Sequence, residues 1–365
     1  MRVQSDITVL PRIALAFIAG LIAVAGVLAL SAHSRAADEV DPFYGIISQR
    51  AMHDKDFDTM AWGRLGSFRM PVEWGGVQSE ENGEMHWGRL DALVTSTAER
   101  GIDFLPTMYS TPLWLAGDRR RLPVWNKNVV SQWKTLLRAA VARYGTDGEF
   151  WVDNPLVPYR PVLKWQIWNE PNIWSFAFPV SPKRYGKLVK VSARAIRSVD
   201  PRAKIVLGGF YSKPRRKVGI KAGDFLDRLY RIKGFKSSFD IAAIHPYAST
   251  TGESLRRTLP LRWSLNRHHD RRKHMTITEL GWGSDATTTF GKGDPDAQAN
   301  QLRSAYRKYL ENRRRLKLDS IYWFSWSDMR DGADVCAFCE KTGLLDYYGD
   351  PKPAWFRLLD FTHGI

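Results

Sequence analysis

Lys164-Trp165-Gln166-Ile167-Trp168-Asn169-Glu170-Pro171-Asn172 begins as a buried strand and finishes on polar groups. Aromatic and β-branched residues favour a pleated, packed segment, and Pro171, which has no N–H, stops the pairing. The segment therefore has an apolar body for a core and an Asn-Glu tip that a core would reject. Taken as residues 163–169, it is one of eight runs of this kind. The others are 43–47, 65–70, 103–108, 204–208, 240–245, 275–279 and 320–324. Helical periodicity occupies the gaps at 89–100, 129–144, 182–199, 222–232 and 297–316, and 355–361 closes the chain. Alternating strands and helices predict βα units on a parallel sheet, and eight of them is the number that closes a barrel. The expected fold class is α/β, a (β/α)8 TIM barrel forming a single domain over residues 37–365. Neither an internal repeat nor a low-complexity linker marks a second domain.

Several strands end in residues poorly suited to a core: Arg69, Glu73, Asn169, Glu170, His245, Tyr247, Glu279 and Asp328. In such a barrel the carboxyl ends of the strands share one face, so these groups converge on one mouth. The connection 146–161, rich in Gly, Asp, Asn and Pro, reads as an insertion that walls this cleft. Cleavage of a glycosidic bond needs one carboxyl to protonate the leaving oxygen and another to attack or to activate water. Glu170 and Glu279, the latter in Thr276-Ile277-Thr278-Glu279-Leu280-Gly281-Trp282, are separated by 109 residues, a span that fits three βα units. A lone strand-end Glu is more commonly an exposed ion-pair partner. Two of them in matched settings at this spacing point to catalysis.

Trp168-Asn169-Glu170-Pro171-Asn172 is similar to the acid/base motif of the clan A glycoside hydrolases, and Thr278-Glu279-Leu280-Gly281-Trp282 resembles their nucleophile motif. The resemblance spans most of residues 43–361 and is nearest to families 39 and 5. It implies a retaining, double-displacement hydrolase with Glu170 as acid/base and Glu279 as nucleophile. It further implies that Asn169 binds the sugar 2-hydroxyl, that Arg69 and Tyr247 keep Glu279 ionised, and that Glu170 holds a proton near neutral pH. His245 either binds sugar or satisfies a hydrogen bond at the barrel rim. Trp282 and Trp326 are the expected stacking faces beside the reacting sugar, while Trp114, Trp125 and Trp174 either extend the cleft or fill core. Glu73 and Asp328 read as loop or rim charges. A transglycosylase would use the same residues, and a non-catalytic carbohydrate-binding barrel would not need both glutamates. The sequence contains no metal-ligand cluster, phosphate-cradling glycine loop or serine elbow, so neither a metal nor another cofactor is expected.

Fifteen Trp residues suit either a large aromatic core or a sugar cleft. Arg2 and Arg12 precede an uncharged run over 13–30, followed by Ser34, Arg35 and Ala36. Residues 1–36 therefore read as a signal peptide cut before Ala37 or as a membrane anchor, and the remainder is expected to be extracytoplasmic, touching a membrane only through that segment. The net charge is +16, and +14 without the leader's Arg2, Arg12, Arg35 and Asp6. Basic clusters at 119–121, 215–217, 271–273 and 313–315 make either a solvated surface or a means of retention on an anionic cell-envelope polymer. No nucleic-acid motif accompanies them. The only cysteines, Cys336 and Cys339, are expected to form a small disulfide, since two thiols cannot complete a zinc site.

Overall fold

The computed structural model describes residues 40–285, 290–333 and 339–364. Residues 1–36, where a leader is expected, lie outside them. Nine strands follow in order: β1 (Asp41–Ile47), β2 (Leu65–Glu73), β3 (Asp103–Tyr109), β4 (Lys164–Ile167), β5 (Lys204–Val206), β6 (Phe210–Tyr211), β7 (Ile241–His245), β8 (His274–Leu280) and β9 (Leu318–Phe324). Every pairing is parallel, running β5-β4-β3-β2-β1-β9-β8-β7-β6, and Val206 opposite Ile241 closes the ring from β5 to β7. β5 and β6 are two pieces of one barrel strand, interrupted at residues 207–209. The eight-stranded barrel read from the sequence is therefore present, with its fifth strand split.

Two layers of apolar packing hold it. Inside the lumen, Ile47, Leu105, Val206, Ile241, Ala243 and Tyr322 form a cluster contributed by β1, β3, β5, β7 and β9. Outside, the strands pack against α1 (Asp54–Trp62), α2 (Gly88–Glu99), α3 (Lys127–Tyr144), α4 (Pro182–Arg197), α5 (Ala222–Tyr230), α6 (Thr251–Arg267), α7 (Pro295–Glu311) and α8 (Pro353–Thr362). Eight indoles, those of Trp74, Trp133, Trp165, Trp168, Trp282, Trp323, Trp326 and Trp355, are wholly buried. Aromatic core is thus the main use of the chain's Trp content. Among the described residues, no helix is long and apolar enough to cross a membrane.

Gly45 shows how tightly the lumen is packed. A methyl group there would lie 2.4 Å from Cδ1 of Tyr322, whose ring fills the space beside β1. A ring so near its own backbone cannot swing aside, so Gly45→Ala is expected to cost about 1–3 kcal/mol, the range for overpacking a core. A Tm indistinguishable from wild type would show that the lumen relaxes freely.

Two helices lack clear periodicity in the sequence. α6 contains Pro260 and turns Thr251, Ser254, Thr258, Arg262 and Ser264 inward, so its buried face reads as polar. Hydrogen bonds make that face tolerable: Thr258 Oγ1 donates to the Ser254 carbonyl at 3.0 Å and Arg262 Nη1 to that of Lys273 at 2.8 Å. The 146–161 segment requires a correction. It joins the end of α3 to the start of β4, which places it at the amino-terminal face of the barrel, opposite the mouth. There Arg160 pairs with Asp103, the first residue of β3, and Trp151 Nε1 donates to the Tyr144 carbonyl at 3.3 Å. It braces the bottom of the barrel and cannot wall the cleft.

Candidate active site

Strand β4 ends at Ile167, and the next three residues turn sharply. Trp168 and Glu170 adopt φ values of 71° and 39°, in the left-handed region that side chains with a Cβ avoid. The surroundings enforce the turn. Trp168 N donates to the Met108 carbonyl at 2.9 Å, its indole Nε1 to the Phe176 carbonyl at 2.8 Å, and Glu170 N to the Gly208 carbonyl at 2.6 Å. The turn places Asn169 and Glu170 among groups from β2, β7 and β8.

Arg69, in β2, is almost fully buried and joins these groups. Its Nη1 donates to Oε1 of Glu279 at 2.9 Å, its Nη2 to Oδ1 of Asn169 at 2.7 Å and its Nε to Oε1 of Gln166 at 2.5 Å. Gln166 is in turn fixed by Thr107, which donates to the same oxygen at 2.8 Å, and by its own Nε2, which donates to the Leu207 carbonyl at 2.9 Å. Because Oδ1 of Asn169 accepts from Arg69, the asparagine presents its amide donors elsewhere. That suits an interaction with a hydroxyl.

Around the carboxyl pair, Tyr247 OH donates to Oε2 of Glu279 at 2.9 Å. His245 Nδ1 lies 2.7 Å from Oε1 of Glu170 and 3.3 Å from Oε2 of Glu279, and its Nε2 lies 2.9 Å from Oγ1 of Thr278. Glu170, His245 and Glu279 each offer a donor atom within 4.8 Å of the others. That spacing would also suit a metal. However, the Arg69 guanidinium already neutralises Glu279 at 2.9 Å, and a divalent ion would face that fixed charge in a poorly screened site. The set fits two carboxyls sharing one proton better.

Burial and the neighbouring Glu279 charge push the Glu170 carboxyl well above its ordinary range. Burial also raises Glu279, but Arg69 and the Tyr247 hydroxyl oppose the rise directly. The shared proton therefore rests on Glu170 and the negative charge on Glu279. Burial, reinforced by Arg69, drives His245 well below its ordinary pKa, so its ring is neutral. Burial and the Glu279 carboxylate keep Tyr247 a phenol, able to donate.

Of the residues singled out in the sequence, Arg69, Asn169, Glu170, His245, Tyr247 and Glu279 come together here. Trp282 and Trp326 do not. Both are wholly enclosed in the core, with Trp282 Nε1 donating to the Ala248 carbonyl at 2.7 Å and Trp326 Nε1 to Oδ1 of Asp56 at 2.9 Å. Neither can stack on a sugar, because each indole is needed to bind a strand end to the helical layer. The rings of Phe324 and Phe290 pack around Tyr247, the partner of Glu279, with centres 6.3 and 5.7 Å from its own. Trp114 is half-buried and donates to the Gln78 carbonyl at 3.1 Å, and Trp125 is half-buried with Arg121 4.2 Å from its ring centre. Trp174 is 46% exposed and the only one of the three that offers an open face. Glu73 is an exposed rim charge paired with Arg119 at 3.1 Å. Asp328 is not. It is buried, bonded to Lys352 at 2.9 Å and to the Gly343 N–H at 2.7 Å, and so ties the end of the barrel to the segment before α8. Cys339 is disulfide-bonded, and Cys336 lies outside the described residues.

Sequence reasoning missed Gln166, Thr107, Thr278 and Gly209. The signal for Gln166 was a lone amide inside an apolar strand, and for Thr278 a hydroxyl one residue before Glu279. Gly209, at φ 56°, left no signal. A Cβ there would lie 2.2 Å from Nε2 of His245 and 2.7 Å from Oγ1 of Thr278, so both space and backbone conformation require glycine.

A closed parallel barrel carrying one buried and one part-buried carboxyl group at the ends of its fourth and seventh barrel strands resembles the clan A glycoside hydrolases in both fold and site. Among curated proteins the chain is 30% identical, over 278 residues, to the β-xylosidase of Geobacillus stearothermophilus, a match covering 69% of this chain and 51% of that enzyme. The chain thus spans about half the length of the curated relative it matches. In fold it is similar to a family 39 glycoside hydrolase from Bacteroides cellulosilyticus WH2, with a TM-score of 0.67, 18% identity, and 88% of this chain and 64% of the other covered. It is also similar to GH10 from Paenibacillus barcinonensis, with a TM-score of 0.61, 17% identity, and 90% and 97% covered. No protein-family model matches the chain.

Proposed function

We propose that this protein is an extracytoplasmic glycoside hydrolase that cleaves O-glycosidic bonds of a carbohydrate with retention of configuration. The reading rests on one observation above all, that carboxyl oxygens of Glu170 and Glu279 approach within 4.8 Å. Retaining enzymes hold the pair about 5–5.5 Å apart, whereas inverting enzymes leave about 6.5–9.5 Å for a water. In the first step Glu279 attacks the anomeric carbon, the bond to the leaving oxygen breaks, and the Glu170 proton passes to that oxygen. In the second, Glu170, now a carboxylate, takes a proton from water as the water oxygen attacks the anomeric carbon and displaces Glu279. Asn169 binds the 2-hydroxyl, a contact that strengthens as positive charge develops on the ring. The similarity to a β-xylosidase and to a family 39 glycoside hydrolase supports the class of reaction. An extracytoplasmic site of action is supported by the leader pattern in residues 1–36 and by the disulfide at Cys339, a bond that persists in oxidising compartments.

The first test follows the products of residues 37–365 on a panel of oligosaccharides by NMR. Retained anomeric configuration at first release is expected, and inversion would overturn the mechanism. Glu170→Gln separates the roles. Loss of a general acid lowers rate by about 10²–10⁴ where the leaving group is a sugar alcohol. Nitrophenolate departs without a proton, so the same variant should form the glycosyl-enzyme from an aryl glycoside at close to the wild-type rate. Equal losses on both substrates would remove Glu170 from the acid's position.

A further inference from the structure

On the mouth's side of the barrel lies a cavity of about 460 Å³, whose lining includes Ser212, Lys213, Lys221, Asp224, Arg256 and Arg257. It opens between the amino-terminal halves of α5 and α6, which follow barrel strands and so begin on the mouth's side of the barrel. Gly223 lets the helices meet at its floor, where a Cβ would lie 3.1 Å from Pro260. The cavity is built directly onto the site. Ser212 N donates to the His245 carbonyl at 3.1 Å, and Arg257 Nη1 donates to the carbonyl of Tyr247.

Its charges are unbalanced. Arg257 and Glu253 neutralise each other, with Nε and Nη2 on one carboxylate oxygen at 3.1 and 2.6 Å. Lys213, Lys221 and Arg256 are exposed and, among the described residues, form no ion pair, leaving three cations against the carboxylate of Asp224. Ser212, 6% exposed, has a buried hydroxyl with no hydrogen-bond partner among the described residues. The loop that carries Lys213 also presents Arg215, Arg216 and Lys217 to solvent and has no acidic residue between Ser212 and Lys221. It is stitched to the segment after Glu170. Trp174 N donates to the Val218 carbonyl at 2.9 Å, Ile220 N to that of Asn172 at 2.9 Å, and Asn172 Nδ2 to those of Tyr211 and Ile220 at 2.8 and 2.7 Å.

We propose that this cavity and its loop form an anion-recognition subsite that holds an acidic substituent, a carboxylate or sulfate, of a glycan chain whose neighbouring residue lies in the catalytic mouth. The inference rests on the glycosidase reading for the chain's occupancy of the mouth, but its measurement does not. Lys213 and Arg256 each adjoin a residue hydrogen-bonded to the backbone of His245 or Tyr247, and Lys221 precedes Ala222, whose N–H donates to the Ser212 carbonyl at 3.2 Å, so all three cations stand on backbone anchored beside the catalytic groups. Diffuse surface charge would have no such fixed place.

The test measures binding by calorimetry in the Glu279→Gln background, where no turnover is needed, against polygalacturonate, dextran sulfate and unsubstituted dextran. Combined Lys213→Ala, Lys221→Ala and Arg256→Ala substitution is expected to weaken the acidic polymers at least about tenfold and to leave dextran unchanged. The control removes equal charge from a second groove on α7 with Arg303→Ala, Arg307→Ala and Lys308→Ala, and should change affinity less than about threefold. All six side chains lie outside the catalytic network, and Arg256→Gln alone serves as a milder variant should the triple change fail to fold. Preference between the carboxylated and sulfated polymers names the substituent. Equal weakening by the two triple variants, or none by the first, would reduce the cavity to part of a generally basic surface and overturn the proposal. Failure of the glycosidase reading would appear separately, as no hydrolysis of any glycan by the wild-type protein.

Discussion

Turnover by Glu279→Gln is expected to fall by about 10⁴–10⁶, the loss seen when an enzyme is deprived of its nucleophile. Unlike the Glu170→Gln effect, this loss should not depend on the leaving group, because a nitrophenolate also requires something to attack the anomeric carbon. The amide has the shape of the carboxylate but no charge; its oxygen can accept from Arg69 Nη1 while its NH2 donates to the oxygen of Tyr247 once that hydroxyl turns, so the fold is preserved. Steady-state kinetics on an aryl glycoside, with circular dichroism as the check on folding, decides the point. Retention of more than about a hundredth of wild-type activity would move the nucleophile elsewhere.

The second large effect is expected from Arg69→Met. Arg69 is the cation nearest Glu279 and one of the two groups that hold its pKa down against burial. Without it the carboxyl rises further, binds a proton at higher pH and ceases to be a nucleophile. Because the active form needs Glu279 ionised, the acidic limb of the kcat/KM profile should move to higher pH, and the rate at neutral pH should drop by about 10²–10³. Protonation of Glu279 also limits the stability cost, which would otherwise approach the roughly 3–5 kcal/mol of a broken buried pair. Arg69→Met combined with Glu279→Gln should therefore be more stable than the two single changes predict by addition, while remaining inactive. An unmoved acidic limb would mean that Arg69 serves only to position Asn169.

What could be read in the sequence follows from where each signal is stored. The barrel was legible because βα alternation repeats eight times, and Glu170 and Glu279 were legible because a carboxyl at the end of an apolar strand contrasts with its neighbours. Trp282 and Trp326 misled for the opposite reason. An indole is equally at home under a helix and under a sugar, and only the fold reveals that Ala248 and Asp56 claim their N–H groups. Loop 146–161 has the composition of a cleft wall, but composition carries no information about which end of the barrel a connection serves. Asp328 resembled a rim charge because its partner, Lys352, lies 24 residues further along the chain. Gly209 was silent because the side chains that exclude a methyl there, His245 and Thr278, arrive from two later strands.

The lumen has two chemical characters, apolar at Ile47, Leu105, Val206, Ile241, Ala243 and Tyr322 and polar where Arg69, Thr107, Gln166, His245 and Thr278 bond to one another. The site thus has roots that reach down into the very layer that would ordinarily be filled with hydrocarbon. Attempts to make the barrel hardier by greasing its centre would succeed at one set of positions and disarm the molecule at the other. Evolution and engineers alike are left with half a lumen in which to improve robustness.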